Sequence, residues 1–209
     1  ASSDKVFITL TGHGGHGAMP HMAVDPVVAA ASVVMALQTV VARNVDPQQT
    51  AVVSVGVLQA GHANNVIPHS AHLQLSVRSL DNGVRQLLQK RITEIVQAQA
   101  QSFGVTAEID YRRGYAVLMN SKEETDFARQ VGIELVGADK VTLQGAALTG
   151  SEDFAYMLEK RPGCYLLIGN GAGDSHGACM VHNPGYDFND DNVAIGAAYW
   201  TLLAQRFLA

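Results

Sequence analysis

The sequence predicts an α+β protein whose first 110 or so residues form a ferredoxin-like β-α-β-β-α-β unit. Four segments alternate apolar and polar residues, or are rich in β-branched residues, as strands do. Two longer segments between them carry apolar residues at three- and four-residue spacings, as helices do. Elements in this order are those of a split β-α-β motif, in which the helices cover one face of an antiparallel sheet.

Each element of this unit has a local signal in the sequence. Residues 5–11 are rich in β-branched and aromatic side chains and predict the first strand. Asp25 and Pro26 are typical of a helix N-cap and first helical position, and the helix predicted from there to about Arg43 is apolar on most sides. The remaining elements are predicted as strands at 51–58, 72–78 and 105–111 and a helix at 83–103.

The pattern changes after Tyr115, where strand signals become sparse. A glycine-rich stretch of about twenty residues, 169–188, is unusually long for a loop without a function. We therefore predict two parts, residues 1–114 and residues 115–209, and we expect the second to be a poor independent core. Its predicted elements are helices at 122–136, 151–159 and 190–207 and an apolar strand at 164–168.

Composition excludes several classes of protein. The 209-residue chain is 47% hydrophobic with a formal net charge of −5, which argues against disorder. It carries no basic stripe for nucleic acid. Cys164 and Cys179 predict free thiols in a reducing compartment. No secretory signal is visible and no uninterrupted apolar run reaches the ~18 residues of a membrane span, so we expect a cytoplasmic protein with no membrane partner.

The loop after the first strand carries the first candidate chemistry. Residues Gly12–Gly17 match the dinucleotide pattern G-x-G-x-x-G, but the next helix starts seven residues later with its own cap, so the context that the pattern requires is missing. His13, His16 and His21 lie in this loop without a carboxylate or cysteine before Asp25, which disfavours a metal site there. A histidine that donates to a developing oxyanion is the better functional interpretation, and solvated loop histidines are the alternative.

Further polar residues each allow a structural and a functional interpretation. Asn65 in the Asn-Val-Ile-Pro segment suits a turn, or an amide donor to a substrate. Arg78 at a strand end suits solvent, or the carboxylate of an amino-acid product. Glu152 and Asp153 suit a helix N-terminus. His182 is a candidate metal ligand, although a single histidine cannot make a zinc site.

Taken together and in this order, the motifs resemble a known enzyme family. The chain is similar to the C-terminal two-thirds of hippurate hydrolases, N-acyl-amino-acid amidohydrolases and auxin-conjugate hydrolases, within the metal-dependent aminoacylase–carboxypeptidase family. The resemblance covers essentially the whole chain. The segments that carry it are GGHGAMPH (14–21), VDPV (24–27), NVIP (65–68), VRSLD (77–81), YRRGY (111–115), GSEDFAYML (150–158), RPGCYLLIGNG (161–171) and HNPGYDFND (182–190).

The resemblance implies an amidohydrolase that cleaves N-acyl amino acids to a carboxylate and an amino acid. It implies two divalent metals, zinc or manganese, in each full-length subunit. Residues 1–114 would be a lid domain that makes a homodimer, and residues 115–209 the C-terminal part of an α/β metallohydrolase catalytic domain. The apolar helix and an open sheet edge of the first part would suit the dimer contact.

The resemblance also implies roles for four residues. His16 matches a lid histidine that reaches the partner subunit's active site and steadies the tetrahedral oxyanion. Asn65 matches a substrate-binding asparagine of the lid, and Arg78 an arginine proposed to hold a substrate carboxylate. His182 matches the last metal-ligand histidine. Glu152–Asp153 match a signature for which we expect a structural role.

The chain departs from the family in its metal site. The family's other metal ligands and its general-base glutamate precede the lid, and the sequence contains none of them. The resemblance therefore implies that this segment alone is inactive, with an absent or incomplete metal centre. The alternative is a stand-alone, non-catalytic dimerisation or ligand-binding module.

Overall fold

Four long antiparallel strands form the sheet around which the first part of the chain folds. They lie in the order β3-β5-β1-β6, so that β1, the first in sequence, lies between the third and the fourth long strand. The predicted α+β class and the β-α-β-β-α-β order are observed, with two additional two-residue strands. The elements are β1 (Asp4–Thr11), β2 (Gly15–His16), a 3-10 turn (Pro20–Met22), α1 (Pro26–Asn44), β3 (Ala51–Ala60), β4 (Val66–Ile67), β5 (Ser70–Ser79), α2 (Asn82–Ser102) and β6 (Thr106–Arg113).

The structure is a computed structural model that describes residues 1–173 and 178–209. The chain divides into two compact units. The first comprises Ala1–Leu118 and Ala147–Tyr156, and the second Met119–Ala146 and Met157–Ala209. The assignment of residues 1–114 as a lid and 115–209 as part of a catalytic domain stays a prediction.

The core of the first unit lies between the sheet and its two helices. Alternate residues of β1 and β5 face the helices, and one stripe of each helix faces back, which is the arrangement that the two periodicities predict. All of these side chains are buried: Val6, Ile8 and Leu10 from β1, Leu73, Leu75 and Val77 from β5, Ala29, Ala30, Val33, Leu37 and Val40 from α1, and Val84, Leu88, Ile92, Val96 and Ala100 from α2.

Helix α1 is a core helix despite its composition. Its mean hydropathy of 1.6 over 18 residues makes it long and apolar enough to cross a membrane, the one such helix in the part of the chain that is described. It nevertheless packs on the sheet and on α2, with Leu37 and Val33 fully buried. Its first turn is capped by Asp25, whose Oδ1 accepts from Val27 N at 2.8 Å, as predicted.

A buried ion pair joins the start of β1 to the first turn of α2, and its carboxylate also bonds the end of β6. The Asp4 carboxylate accepts from Arg85 Nε at 3.0 Å and Nη2 at 2.5 Å, from Gly114 N at 3.1 Å and from the Tyr111 hydroxyl at 3.1 Å. Arg85 Nη2 also donates to Gly114 O at 3.1 Å. Burial and the neighbouring Asp4 raise the pKa of Tyr111, which keeps its hydroxyl a donor. Every acceptor position of the buried carboxylate is thus occupied.

The second unit is helical. Two of its helices are joined by a hydrogen bond from the Tyr199 hydroxyl to Ala128 O at 3.0 Å and by the ion pair of Arg206 with Glu134. Only Ala128, Val131 and Asn192 are buried among the described residues of this unit. Its elements are α3 (Lys122–Val136), a 3-10 turn (Ala138–Lys140) and α5 (Asp191–Leu208), while α4 (Phe154–Leu158) spans the boundary between the units.

One element prediction for this half is wrong, and a second is confirmed with shorter bounds. Residues 164–168 do not form a strand, because no strand of the described chain lies beside them. Tyr165 instead bonds the side chain of Asn120 through its N at 2.9 Å and its O at 3.0 Å. The helix predicted to begin at residue 151 begins at Phe154. His176, in the glycine-rich stretch, lies outside the described residues.

Candidate functional site

A two-stranded ladder brings His16 beside Asn65. In β2 and β4, His16 pairs with Val66 and Gly15 with Ile67. Gly17 N donates to Asn65 O at 2.8 Å. A Cβ on Gly17 would lie 3.1 Å from Asn65 C and O, so glycine permits this close approach. Both candidate side chains are exposed, 49 positions apart in sequence and adjacent in the fold.

The imidazole of His16 is held by its own turn. Met19 N donates to His16 O at 2.8 Å, which closes a four-residue turn. Ala18 N donates to His16 Nδ1 at 3.1 Å. Nε2 has no hydrogen-bond partner among residues 1–173 and 178–209, so it is the nitrogen left for a ligand.

The other glycines of the loop serve backbone packing. A Cβ at Gly12 would lie 2.1 Å from Val24 O, and one at Gly14 would lie 2.7 Å from Ile67 O. Gly12 N donates to His69 O at 2.9 Å, which ties the loop to the end of the sheet. The G-x-G-x-x-G spacing is therefore explained by close backbone contacts, and α1 begins after a separate cap.

Arg78 lies at the other end of the sheet. The β2–β4 ladder adjoins the Ser70 end of β5, and Arg78 stands eight residues further along that strand, about 26 Å away at strand rise. Arg78 Nη1 donates to Thr149 O at 3.0 Å, in the segment that leads to Glu152 and Asp153. The structure therefore brings His16 and Asn65 together in one chain and leaves Arg78 apart from them.

His182 lies in the second unit, in an exposed turn. Its φ of 70° is the only positive value at a non-glycine residue of the described chain. Asn183 N donates to Met180 O at 3.1 Å, next to His182 in the turn. No group of three His, Cys, Asp or Glu side chains close enough to hold a metal occurs among the described residues. Because zinc needs three or four protein ligands, the residues present do not fit a complete metal centre.

Comparison with known proteins defines the class. The model of peptidase family M20/M25/M40 matches residues 6–206, so the chain belongs to this family. The chain is 40% identical over 208 residues to the hippurate hydrolase of Campylobacter jejuni, covering 100% of this chain and 53% of that protein. It is 41% identical over 174 residues to the N-acetyldiaminopimelate deacetylase of Lactococcus lactis, covering 81% of this chain and 45% of that one.

Solved structures agree on the fold. A crystal structure from methicillin-resistant Staphylococcus aureus matches with a TM-score of 0.83 and 29% identity over 97% of this chain and 51% of its own. The YXEP protein of Bacillus subtilis, described as a dinuclear metal binding peptidase, matches with a TM-score of 0.76 at 24% identity, over 98% of this chain and 49% of its own. The chain thus spans about half the length of these relatives, less than the two-thirds expected.

Sequence reasoning missed the groups that hold the site together. The backbone amide of Ala18 and the missing Cβ of Gly17 carry no side-chain signal. Two-residue strands are too short for a periodic pattern, so the β2–β4 ladder was not predicted. The resemblance implies roles for His16 and Asn65, but the residues between them give no indication that the two lie side by side.

Proposed function

We propose that the chain is part of an amidohydrolase that cleaves N-acyl amino acids, hippurate among them, to a carboxylate and an amino acid. The observation that carries the proposal is the β2–β4 ladder, which places an imidazole donor and an amide donor side by side on an exposed turn. The 40% identity to a hippurate hydrolase over the whole chain supports the same class of substrate. Related deacetylases support amide hydrolysis more generally.

In this proposal His16 and Asn65 bind the substrate at the acyl carbonyl. Attack on an amide carbonyl places negative charge on its oxygen, and donors aimed at that oxygen stabilise the transition state. Because the turn occupies Nδ1 of His16, Nε2 is the nitrogen that donates to this oxygen. Removing one such donor typically lowers kcat by about 10²–10³-fold, which is the effect expected for His16→Ala.

His182 is proposed as the one metal ligand that this chain supplies. The described residues do not complete a metal centre, so the remaining ligands and the general base would come from outside this sequence. The second unit supports this proposal, because it exposes large apolar side chains that a further part of the protein would cover: Met119, Leu143, Leu167, Val193, Trp200 and Phe207. We expect the 209-residue chain alone to be inactive.

A homodimer formed through the first unit would explain how Arg78, which lies far from His16 in one chain, can bind the same substrate. About 26 Å along β5 separates it from the His16 end of the sheet, so both cannot bind one small substrate from the same chain. If His16 and Asn65 serve the partner's site, Arg78 of one subunit and His16 of the other can meet. The exposed apolar residues of α1, Val27, Val28 and Met35, and the open edge of β3 support a contact between first units.

Mixing two inactive variants tests this arrangement. In the protein at its natural length, His16→Ala and Arg78→Ala are each expected to lose hippurate hydrolysis. Re-association of an equal mixture should restore about a quarter of wild-type activity, because half the dimers are mixed and each has one intact site. No restoration, although mixed dimers form, would contradict residues shared between subunits.

The activity itself is tested by release of glycine from hippurate, with N-acetyldiaminopimelate as the competing substrate. A natural-length protein that hydrolyses neither, although it holds two divalent ions, would favour the non-catalytic module. His182→Ala should lower the bound metal, measured by mass spectrometry. Turnover with bound metal in the 209-residue chain alone would overturn the expectation that it is incomplete.

A further inference from the structure

We propose that the backbone N–H of Ala18 fixes His16 as the Nε2–H tautomer before any substrate binds. The turn thereby presents a proton, and not a lone pair, at the outward nitrogen. The catalytic consequence rests on the function proposed above, whereas the tautomer is a property of the free protein. The two can therefore fail separately.

The assignment follows from the chemistry of the two partners. A neutral imidazole has one N–H and one acceptor nitrogen, and its neighbours decide which is which. A backbone amide can only donate. Since Ala18 N lies 3.1 Å from His16 Nδ1 as its donor, Nδ1 must hold the lone pair and Nε2 the proton.

The N–H of Ala18 is held in place by backbone hydrogen bonds of the turn, not by side chains. Met19 N to His16 O at 2.8 Å closes the turn, and Gly17 N to Asn65 O at 2.8 Å ties it to β4. The contact of Gly17 with Asn65 leaves no unstrained space for a Cβ. The amide of Ala18 therefore keeps its direction in the free protein.

Other histidines of the first unit lack this arrangement. The imidazoles of His13 and His21 have no hydrogen bond from a backbone amide within the described chain. His72 has Thr9 Oγ1 at 3.2 Å from Nδ1 and Ser70 Oγ at 3.3 Å from Nε2, and a hydroxyl can donate or accept. Their environments leave the tautomer open, so they are internal controls.

The tautomer matters because an oxyanion needs a donor. The Nδ1–H form would turn the lone pair of Nε2 toward a developing negative charge, and the ring must give up the hydrogen bond from Ala18 N to adopt that form. Ala18 is thus a positioning residue that acts through His16. Its loss should lower kcat and change KM little.

Nitrogen-15 NMR of the imidazoles tests the assignment directly. In the protein at its natural length, with the rings neutral, His16 should show an unprotonated Nδ1 and a protonated Nε2. His13 and His21 should show an averaged mixture. A His16 spectrum with protonated Nδ1, or with the same mixture as His21, would overturn the proposal.

Two variants at Ala18 add the functional test. Ala18→Gly keeps the N–H and should retain the tautomer and change kcat little, while Ala18→Pro deletes the N–H, should mix the tautomers and should lower kcat by the fraction of the Nε2–H form that is lost, about two- to fourfold. Proline is also disfavoured at the third position of this turn. If Ala18→Pro does not fold, the nitrogen-15 spectrum of the wild-type protein alone tests the tautomer. A wild-type spectrum with the proton fixed on Nε2, together with mixed tautomers and unchanged kcat in folded Ala18→Pro, would refute the catalytic role of the Ala18 amide and leave the tautomer assignment standing.

Discussion

The two compact units bury their apolar residues to very different extents. In the first unit, nineteen side chains form one buried hydrophobic cluster between the sheet and two helices. In the second, Ala128 and Val131 are the only buried apolar residues among those described, and Trp200 is 66% exposed. Both units have amphipathic or apolar helices, so helix composition does not account for the difference. The sheet accounts for it, because it supplies the second layer that the helices of the first unit need.

Most of the stability of this chain resides in the first unit. A helix is stabilised in water mainly by packing its apolar face. Helices α1 and α2 satisfy that requirement within residues 1–118, while α3 and α5 bury little against each other. Comparable substitutions should therefore lower the free energy of unfolding strongly in the first unit and weakly in the second.

The largest effect is expected for Asp4→Ala. It leaves Arg85 buried without its carboxylate, and breaking a buried pair from one side typically costs about 3–5 kcal/mol. Urea unfolding followed by circular dichroism measures the change. Tyr111→Phe, which removes only one hydrogen bond to Asp4, should cost about 1 kcal/mol and serves as the control. Equal effects for both would show that the ion pair is not the dominant contact.

Truncation of one large apolar side chain in each unit tests the same contrast. Leu37→Ala in α1 creates a cavity in the buried cluster and should cost about 2–5 kcal/mol. Trp200→Ala in α5 removes a larger side chain that is mostly exposed, and should stay within about 0.5 kcal/mol in the 209-residue chain. A large loss of stability from Trp200→Ala, measured in the same urea titration, would mean that the second unit has a core of its own.

Helix caps give a smaller contrast. Asp25 caps α1 through a side-chain hydrogen bond to Val27 N, and Asp25→Ala should cost about 1 kcal/mol. Asp190 occupies the same position before α5 without such a bond, so Asp190→Ala should change the unfolding midpoint much less. Thermal unfolding of both variants measures the difference. The reverse ranking would place the more important cap in the second unit.

The smallest effect concerns pH and the α3–α5 contact. Hydrogen bonding to Arg206 lowers the pKa of Glu134 from its ordinary value of 4.5. A carboxylate whose pKa is depressed in the folded state contributes stability above its unfolded pKa and loses it as pH falls through the folded pKa. Glu134→Gln should therefore remove the part of the acid dependence that this ion pair contributes, seen as protection factors of the amides near Tyr199 and Ala128 that fall less with decreasing pH than in the wild type. High salt should weaken the effect in the wild type, because the pair is exposed. An unchanged acid profile in Glu134→Gln would exclude this pair as its source.

Sequence patterns predicted the first unit well for a physical reason. Its core residues recur with strand and helix periods, and the cap at Asp25 marks the start of α1. One exception is β3, where an extra residue between Val55 and Val57 breaks the register. Beyond this bulge Val57 pairs with Gln74 and lies on the open face of the sheet, whereas simple alternation would place it on the same face as Val55.

The second unit and the site were less predictable. The apolar run at 164–168 has the composition of a strand, but a strand also needs a neighbour, and composition cannot supply one. His16 and Asn65 carry ordinary loop signals, and their adjacency depends on backbone contacts of Gly17 that no side-chain pattern records. The metal role of His182 rests on resemblance, since the described chain gathers no ligand set around it.

The strand order has a consequence for biosynthesis. β1 is the first of these four strands to be synthesised, yet both of its sheet neighbours are encoded later, Asp4 pairing with Val77 on one side and with Arg113 on the other. Until those residues emerge, the apolar α1 has no sheet to cover it, and non-local pairing of this kind makes folding slow. During synthesis, the apolar helix α1 therefore stays uncovered by the sheet until β5 and β6 have followed it.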